Sequence, residues 1–160
     1  MNVAIRPMTT TDKPEIINIL RALPEFEPSE ISVAAEVIAR FLADPAGSGY
    51  YFRVAVADEL PIGYVCYGPT PLTRGTWDIY WLAVARNHQG QSIGRTLMKQ
   101  AEADIKRMAG RLIIIETSSK PEYKRTRDFY HGGNYRLAGR IPDFYAPGDD
   151  KLILQKRLTD

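Results

Sequence analysis

The sequence predicts a mixed α/β fold, with a central sheet of about six to seven strands and about four helices packed on it. Apolar residues recur at helical spacing in some segments and alternate with polar residues in others, which separates helices from strands. One strand–helix–strand unit has the length of a right-handed parallel crossover, whereas short turns elsewhere predict antiparallel hairpins. The length of 160 residues fits a single domain over residues 1–160.

The N-terminal part of the chain predicts one strand and two helices. A short apolar strand over residues 3–6 is ended by a proline. Thr11 or Asp12 is suited to cap the first helix, whose isoleucines and leucines recur at helical spacing until Pro24 stops it. Ser32 is predicted to cap a second amphipathic helix, which a proline and a glycine end.

The next segments predict a hairpin and a further strand. Residues 50–56 alternate between apolar and polar side chains, and Asp58 and Glu59 provide a turn. Residues 62–67 form the returning strand, and the two strands are expected to be antiparallel. After a loop with prolines, residues 77–84 are rich in aromatic and β-branched side chains, which favours a third strand.

A parallel pair of strands is predicted in the middle of the sheet. An amphipathic helix begins near Ile93 and ends at Gly110, with apolar residues every three or four positions. Residues 112–117 follow as an apolar strand of the kind found at the centre of a sheet. Because a crossover helix connects them, this strand is expected to lie parallel to residues 77–84.

The C-terminal part predicts one helix and two strands. The helix covers about residues 121–131, with a proline suited to its first turn and two glycines at its end. Residues 135–141 and 152–158 have strand patterns, and residues 142–150 between them are predicted as a loop.

Composition excludes several classes of protein. A net charge of +2 does not argue for a nucleic-acid or membrane partner. No apolar run approaches the roughly 20 residues of a membrane-spanning helix. One cysteine and two histidines, far apart in the sequence, make a zinc site improbable, so no metal is expected. The sequence lacks a secretion signal and a disulfide framework, and a cytoplasmic location is therefore expected.

The turn after strand 77–84 has the features of an anion site. It contains Gly90 and Gly94 and leads directly into the helix that begins near Ile93. The first N–H groups of a helix are unpaired and lie at the positive end of its dipole, so they attract phosphate. Neither a Walker motif nor a complete dinucleotide fingerprint is present, which lowers the nucleotide-binding interpretations.

The sequence around this turn resembles the GNAT superfamily of N-acetyltransferases. In that family a strand is followed by Arg/Gln-x-x-Gly-x-Gly/Ala. Gln89 and Gly94 match this pattern, and Ser92 stands in place of the middle glycine. A second family signature, Phe/Leu-Tyr-x-x-x-Gly-Phe/Tyr, is similar to residues 129–135, with Asn134 where glycine is usual. The order of elements along nearly the whole chain also fits, and the resemblance implies a GNAT-like fold whose two parallel strands splay apart.

The resemblance implies acetyl-CoA as the co-substrate. Its pyrophosphate would be held by backbone N–H groups at the turn, and its pantetheine arm would pair with the end of strand 77–84. Lys120, Lys124, Arg125 and Arg127 are candidates to reach the 3′-phosphate, and a solvated helix face is the expected role of most of them. The residues expected to contact the cofactor are Leu82, Ala83, Val84, Gln89, Gly90, Gln91, Ser92, Ile93, Gly94, Arg95 and Arg127.

The resemblance also implies catalytic residues. Tyr130 occupies the family's general-acid position, and a tyrosine hydroxyl can protonate a departing thiolate. An alkyl ammonium has a pKa of about 10.4, so direct transfer needs a base or a water chain to remove a proton. Asp78 matches the base position of the histone-acetylating branch, and Glu116 resembles that of protein N-terminal acetyltransferases. Strand alternation is expected to place Asp78, Tyr80 and Leu82 on one side.

The acceptor pocket is expected in the variable segments 23–33, 68–76 and 141–150. Acidic side chains there would attract an ammonium group and oppose the basic cofactor side, and Glu25 is a third candidate base. The residues expected to contact the acceptor are Glu25, Phe26, Tyr80, Phe144 and Tyr145. The acceptor itself is expected to be a primary amine of a small molecule or a peptide N-terminus.

Two alternatives remain open from the sequence. The first is a noncatalytic module that binds or senses acyl-CoA, and the second is a nucleotide-binding α/β protein. The presence of Tyr130 and of nearby acids favours the enzyme. Dimerisation is common in the family, and no sequence feature decides between a monomer and a homodimer.

Overall fold

The computed structural model describes residues 2–158, which form seven strands and four α-helices. The strands are β1 (Val3–Pro7), β2 (Tyr51–Ala57), β3 (Leu60–Pro69), β4 (Thr76–Val84), β5 (Leu112–Ser118), β6 (Arg136–Ala146) and β7 (Asp149–Arg157). The helices are α1 (Lys13–Ala22), α2 (Pro28–Ala43), α3 (Ile93–Arg107) and α4 (Lys124–Gly132). The predicted α/β fold class and the predicted order of elements are confirmed.

The strands form one sheet in the order β1-β2-β3-β4-β5-β7-β6. Its central strands β4 and β5 are parallel, as the crossover predicted. Their ladder covers four residue pairs, from Thr76 opposite Leu112 to Ile79 opposite Ile115. Beyond these pairs β4 stays bonded to β3, and β5 stays bonded to β7. The sheet therefore opens between its two central strands, as the splayed pair implied.

A bulge at Tyr80 changes which side chains of β4 face each side of the sheet. The register of β4 against β3 shifts by one residue at this point. Ile79 packs into the core beneath α3, and Leu82 packs against the same core. Asp78 alternates with Ile79 and so faces the opposite side. The expectation that Asp78 and Leu82 share one side is wrong, because the extra residue reverses the alternation.

Two apolar cores lie on the two faces of the sheet. Helices α3 and α4 cover one face, where the buried side chains include Leu97, Met98, Ile105 and Ile113. Helices α1 and α2 cover the other, where they include Ile16, Leu20, Ile38 and Val54. All eight of these side chains are at most 1% exposed. Burial of each stabilises the fold by roughly 1.5–3 kcal/mol before entropic costs, so both helical layers are held firmly.

Two helix starts differ from the expected ones. Asp12 precedes α1, but its carboxylate accepts hydrogen bonds from the Arg6 guanidinium at 2.7 and 2.9 Å and from the Thr9 N–H at 2.7 Å instead of capping the helix. Helix α2 begins at Pro28, four residues before the predicted cap Ser32. Proline fits a first helical turn because its missing N–H would have no partner there.

Residues 142–150, predicted as a loop, mostly extend the last two strands. Only a two-residue turn joins β6 to β7, and Gly148 adopts a φ of 81° in it. The carboxylates of this segment bind its own backbone: Asp143 accepts the N–H of Gly148 at 2.8 Å, and Asp150 accepts the N–H of Asp143 at 2.8 Å. The loop prediction was wrong because side chains that usually mark a turn here stabilise a bulged hairpin.

A buried ionic cluster ties α3 to the sheet. Asp104 on α3 is 3% exposed. Its carboxylate accepts hydrogen bonds from the Arg53 Nε at 2.7 Å, from the Tyr67 hydroxyl at 2.5 Å and from the Gln100 amide at 3.0 Å. Arg107 forms a further ion pair with it. Because β2 and β3 supply Arg53 and Tyr67, this one carboxylate holds three elements together.

A left-handed backbone follows α4 at Asn134, where φ is 71°. This is the position at which the family signature has glycine, and asparagine tolerates the conformation better than most residues. We expect Asn134→Gly to change the free energy of unfolding by less than about 0.5 kcal/mol and Asn134→Val to lower it by about 1–2 kcal/mol. Urea denaturation tests this, and a valine variant as stable as the unchanged protein would contradict it.

Candidate active site

A cleft of about 1300 Å³ lies where β4 and β5 diverge. The last residues of both strands form its floor, and the turn before α3 forms one end. The segment between α1 and α2, the segment before α4 and the start of β7 form the other end. Because the gap passes between the central strands, side chains from both faces of the sheet reach the same space.

The turn before α3 presents backbone N–H groups to one end of the cleft. Ser92 directly precedes the helix with a φ of 64°, and its side chain does not cap it. Gly90 has a φ of 79°, and a Cβ added there would meet nothing within 4 Å. The Gln89 side chain donates to the Val84 carbonyl at 3.1 Å and holds the turn against the end of β4. An open, uncapped start of a 15-residue helix is suited to an anion.

Most residues predicted to contact the cofactor line the cleft. They are Leu82, Ala83, Val84, Gln89, Gly90, Ser92, Ile93, Gly94 and Arg95. Gln91 and Arg127 do not line it. The Arg127 guanidinium donates to the carbonyls of Ser118 and Lys120 at 2.9 and 2.8 Å, so it anchors the start of α4 instead. Arg125, on the same helix, does line the cleft.

Tyr130 reaches the cleft from the face covered by α3 and α4. It is buried, and its ring lies 5.6 Å from the Phe129 ring and 6.0 Å from the Tyr135 ring. Burial alone raises the pKa of its hydroxyl. The hydroxyl makes no hydrogen bond to another group within residues 2–158. It therefore carries a proton at neutral pH and is open to a ligand in the cleft.

The two strand carboxylates predicted as bases differ in their access to the cleft. Glu116 lines it and lies 2.6 Å from the Lys151 ammonium. Asp78 does not line it, and its carboxylate accepts the Thr70 hydroxyl at 2.6 Å. Burial raises the pKa of Asp78, the Thr70 hydrogen bond opposes this, and the charge of Glu116 adds to it. Tyr80 lines the cleft, and burial, followed by the charge of Asp78, raises the pKa of its hydroxyl.

The far end of the cleft is acidic. Five carboxylates line it: Glu25, Glu27, Glu30, Glu122 and Asp149. Lys120 belongs to this end and not to the cofactor side, because its ammonium lies 3.3 Å from Glu27 and 3.8 Å from Asp149. Burial, and to a smaller extent the charge of Glu27, raises the pKa of Glu30. One carboxylate oxygen of Glu25 is buried without a hydrogen-bond partner among residues 2–158.

Aromatic side chains form the walls of the acidic end. Phe26 and Tyr145 line it, as predicted, whereas Phe144 does not. The Phe144 ring instead packs 3.8 Å from the Lys151 ammonium and 5.0 Å from the Tyr145 ring, which supports the wall from behind. Burial, followed by the charge of Glu116, raises the pKa of Tyr145 to about 12.

Sequence reasoning missed Tyr123 and Lys151. The Tyr123 hydroxyl donates to the Glu25 carbonyl at 2.8 Å and links the segment before α4 to the segment before α2. Burial raises the pKa of this tyrosine. Lys151 pairs with Glu116 across β5 and β7. Both contacts join distant parts of the chain and match no local motif, so no sequence signal pointed to them.

Two general findings concern residues 2–158. None of the helices in this range is long and apolar enough to cross a membrane. Nor does this range hold three or more His, Cys, Asp or Glu side chains grouped as metal ligands.

Comparison with known proteins agrees with this architecture. Residues 14–132 match the acetyltransferase (GNAT) family, which confirms the resemblance seen in the sequence. A GNAT-family protein from Desulfovibrio desulfuricans is 36% identical, with a TM-score of 0.96, over 99% of this chain and 100% of that one. A search of curated proteins found no match.

More distant structures share the fold. The ribosomal-protein-S18-alanine N-acetyltransferase of Escherichia coli has a TM-score of 0.78 at 15% identity, over 99% of this chain and 96% of that one. The PaiA N-acetyltransferase of Thermoplasma acidophilum, in complex with coenzyme A, has a TM-score of 0.77 at 16% identity. The match covers 99% of this chain and 100% of that one.

Proposed function

The chain belongs to the acetyltransferase (GNAT) family, and from this membership we propose that it transfers an acetyl group directly from acetyl-CoA to a primary amine. One observation carries the proposal: a single cleft has a helix start suited to an anion at one end and carboxylates suited to an ammonium at the other. PaiA, a distant structural neighbour, binds coenzyme A. The acceptor class comprises small-molecule amines and peptide N-termini.

The residues at the α3 end of the cleft fit acetyl-CoA. The uncapped N–H groups after Ser92 would hold the pyrophosphate, and Gly90 leaves the turn open for it. Arg86 and Arg125 line the same cleft and supply positive charge. Backbone groups of β4 beyond Ile79 have no partner in β5 and would pair with the pantetheine arm. When bound, acetyl-CoA supplies an acetyl group activated as a thioester.

Proton transfer is assigned to residues on opposite sides of the gap. Glu116 is our choice for the base, because it lines the cleft while Asp78 is withdrawn from it. It would accept a proton from the acceptor ammonium, directly or through water, and free the nitrogen lone pair for attack. Tyr130, on the other face, would give its proton to the leaving sulphur, and the second proton that the nitrogen loses as the amide forms would restore the Tyr130 hydroxyl through water. A backbone N–H near Leu82 would polarise the thioester carbonyl.

The acidic end of the cleft would select for cationic acceptors. Glu25 and Glu30 face an ammonium with few compensating cations, since Lys120 is already paired with Glu27 and Asp149. Aromatic walls add attraction for a cation over a ring face. We therefore expect amines that are protonated at neutral pH to be preferred over neutral nucleophiles such as alcohols.

A thiol-release screen tests the activity. Purified protein is incubated with acetyl-CoA and a panel of metabolite amines, aminoglycosides and short peptides, and free coenzyme thiol is measured. We expect release that depends on one class of amine and yields the N-acetyl product by mass spectrometry. Binding of acetyl-CoA without release across the panel would instead favour the noncatalytic acyl-CoA-binding alternative. Displacement of coenzyme A by a nucleoside triphosphate would favour the nucleotide-binding one.

The choice of base has its own test in Glu116→Gln and Asp78→Asn. Both substitutions keep the shape of the side chain and remove its charge. We expect Glu116→Gln to lower kcat by at least about tenfold at pH 7. At higher pH the loss of kcat should be smaller, because more of the amine is already neutral. Asp78→Asn should lower kcat by a smaller factor. The reverse order, measured by initial rates at saturating substrate, would assign the base to Asp78.

A further inference from the structure

The Arg95 side chain contacts α4 and not the turn before α3. The residue belongs to the first turn of α3, beside the cofactor end of the cleft. Its Nη2 donates to the Phe129 carbonyl at 2.9 Å, and its guanidinium lies 4.3 Å from the centre of the Phe129 ring. One side chain therefore holds both the backbone and the ring of the residue directly before Tyr130.

Side-chain hydrogen bonds from two arginines anchor the two ends of helix α4. It has nine residues, and Tyr130 is its buried side chain. Arg127 anchors the start of the helix to the carbonyls of Ser118 and Lys120. Arg95 anchors the last turn to α3. Without Arg95, the last turn of α4 would keep its ring contacts but lose its side-chain hydrogen bond to α3.

Two glycines leave room for this arrangement. A Cβ added to Gly133 would come within 2.2 Å of Arg95 Nη1, so an alanine there would displace the guanidinium. A Cβ added to Gly94 would meet the Phe129 ring at 3.3 Å. Gly133 does not line the cleft. A glycine is therefore needed at position 133 to leave space for the Arg95 guanidinium, and not for contact with a ligand.

We propose that Arg95 is a positioning residue for Tyr130: its side chain fixes the last turn of α4 so that the Tyr130 hydroxyl meets the leaving sulphur. This inference rests on the proposed function, in which Tyr130 is the general acid. The backbone N–H of Arg95 stays at the helix start and is free to bind the cofactor. The planar guanidinium is suited to the task, because it stacks on a ring and donates to a carbonyl at once.

The test uses Arg95→Met, Arg95→Lys and Gly133→Ala. We expect Arg95→Met to lower kcat about tenfold and to leave the KM for acetyl-CoA within about threefold, since the backbone N–H remains. Gly133→Ala, a substitution outside the cleft, should cause a similar loss of kcat. Arg95→Lys should retain part of the kcat that Arg95→Met loses. A large rise in KM with unchanged kcat in Arg95→Met would overturn the inference and assign the side chain to cofactor binding.

A double-mutant cycle separates positioning from general loss of structure. In a Tyr130→Phe background we expect Arg95→Met to have almost no further effect on kcat, because the hydroxyl that it positions is gone. Fully additive losses would overturn the inference while leaving the proposed function intact.

Hydrogen exchange provides a readout that needs no activity. The N–H groups of Gly133 and Tyr135 bond to the carbonyls of Phe129 and Tyr130 and report on this turn. Arg95→Met should speed their exchange, and unchanged exchange would overturn the inference. If the protein without any substitution shows no transferase activity, the proposed function is wrong, whatever the exchange rates are.

Discussion

Replacing Tyr130 with phenylalanine is expected to lower kcat by about 10²-fold while the KM for acetyl-CoA stays within about twofold. The hydroxyl is protonated because burial raises its pKa, and no protein group within residues 2–158 bonds to it. Phenylalanine keeps the ring contacts with Phe129 and Tyr135. The substitution thus removes the proton donor and little else. Steady-state kinetics with the best amine of the thiol-release screen measures both constants.

Tyr135→Phe is the matched control for this experiment. Tyr135 is also buried and lies in the same aromatic cluster, but its hydroxyl donates to Glu102 at 2.7 Å and it does not line the cleft. Loss of this hydroxyl should lower stability slightly and leave kcat nearly unchanged. If Tyr130→Phe turns over as fast as the unchanged protein, Tyr130 is not the general acid.

Asp104→Ala is expected to lower the free energy of unfolding by about 3 kcal/mol, the largest stability effect that the fold suggests. The substitution leaves the Arg53 guanidinium and the Tyr67 hydroxyl without their shared acceptor in a partly buried site. Denaturant unfolding measures the change. Asp128→Ala removes an exposed carboxylate that pairs with Lys124 and should have little effect. Equal losses in both variants would contradict the role given to the buried cluster.

The same carboxylate predicts how stability depends on pH. Burial alone would raise the pKa of Asp104, but hydrogen bonds, first from Arg53 and then from Tyr67, hold it below its ordinary value of 3.8. A group whose pKa is lowered by folding stabilises the protein above its unfolded pKa, and that contribution is lost as the pH falls through the folded pKa. Below about pH 4 the unchanged protein should therefore lose stability more steeply than Asp104→Ala.

Local patterns were enough to predict much of the fold. The turn at Asp58 and Glu59 was predicted from two charged residues between two strand patterns, and both residues adopt a positive φ, 50° and 66°. The parallel pair followed from the length of its crossover. The start of α2 at Pro28 was missed because Ser32, four residues later, is a residue type typical of helix caps. The bulge at Tyr80 was missed because an extra strand residue leaves no trace in an alternating aromatic segment.

Local motifs and variable segments indicated the residues around the candidate site, but not the contacts that join them. The turn from Gln89 to Gly94 and the pair Phe129 and Tyr130 each lie within a few residues of chain. The acidic end of the cleft depends instead on contacts between distant segments, such as Tyr123 with Glu25 and Lys120 with Glu27. The placement of Lys120 could not be inferred, because a lysine in a basic segment gives no sign of the carboxylates that it meets.

The gap between β4 and β5 has the character of a sheet edge enclosed inside a protein. Strand edges elsewhere expose unpaired backbone groups that recruit further strands. Here a ligand with amide groups can form hydrogen bonds with the backbone of β4. These hydrogen bonds do not depend on which side chains β4 carries. The charge of the acidic end comes from side chains. Under the proposed function, substitutions there are expected to change the accepted amine while the backbone contacts to the cofactor remain.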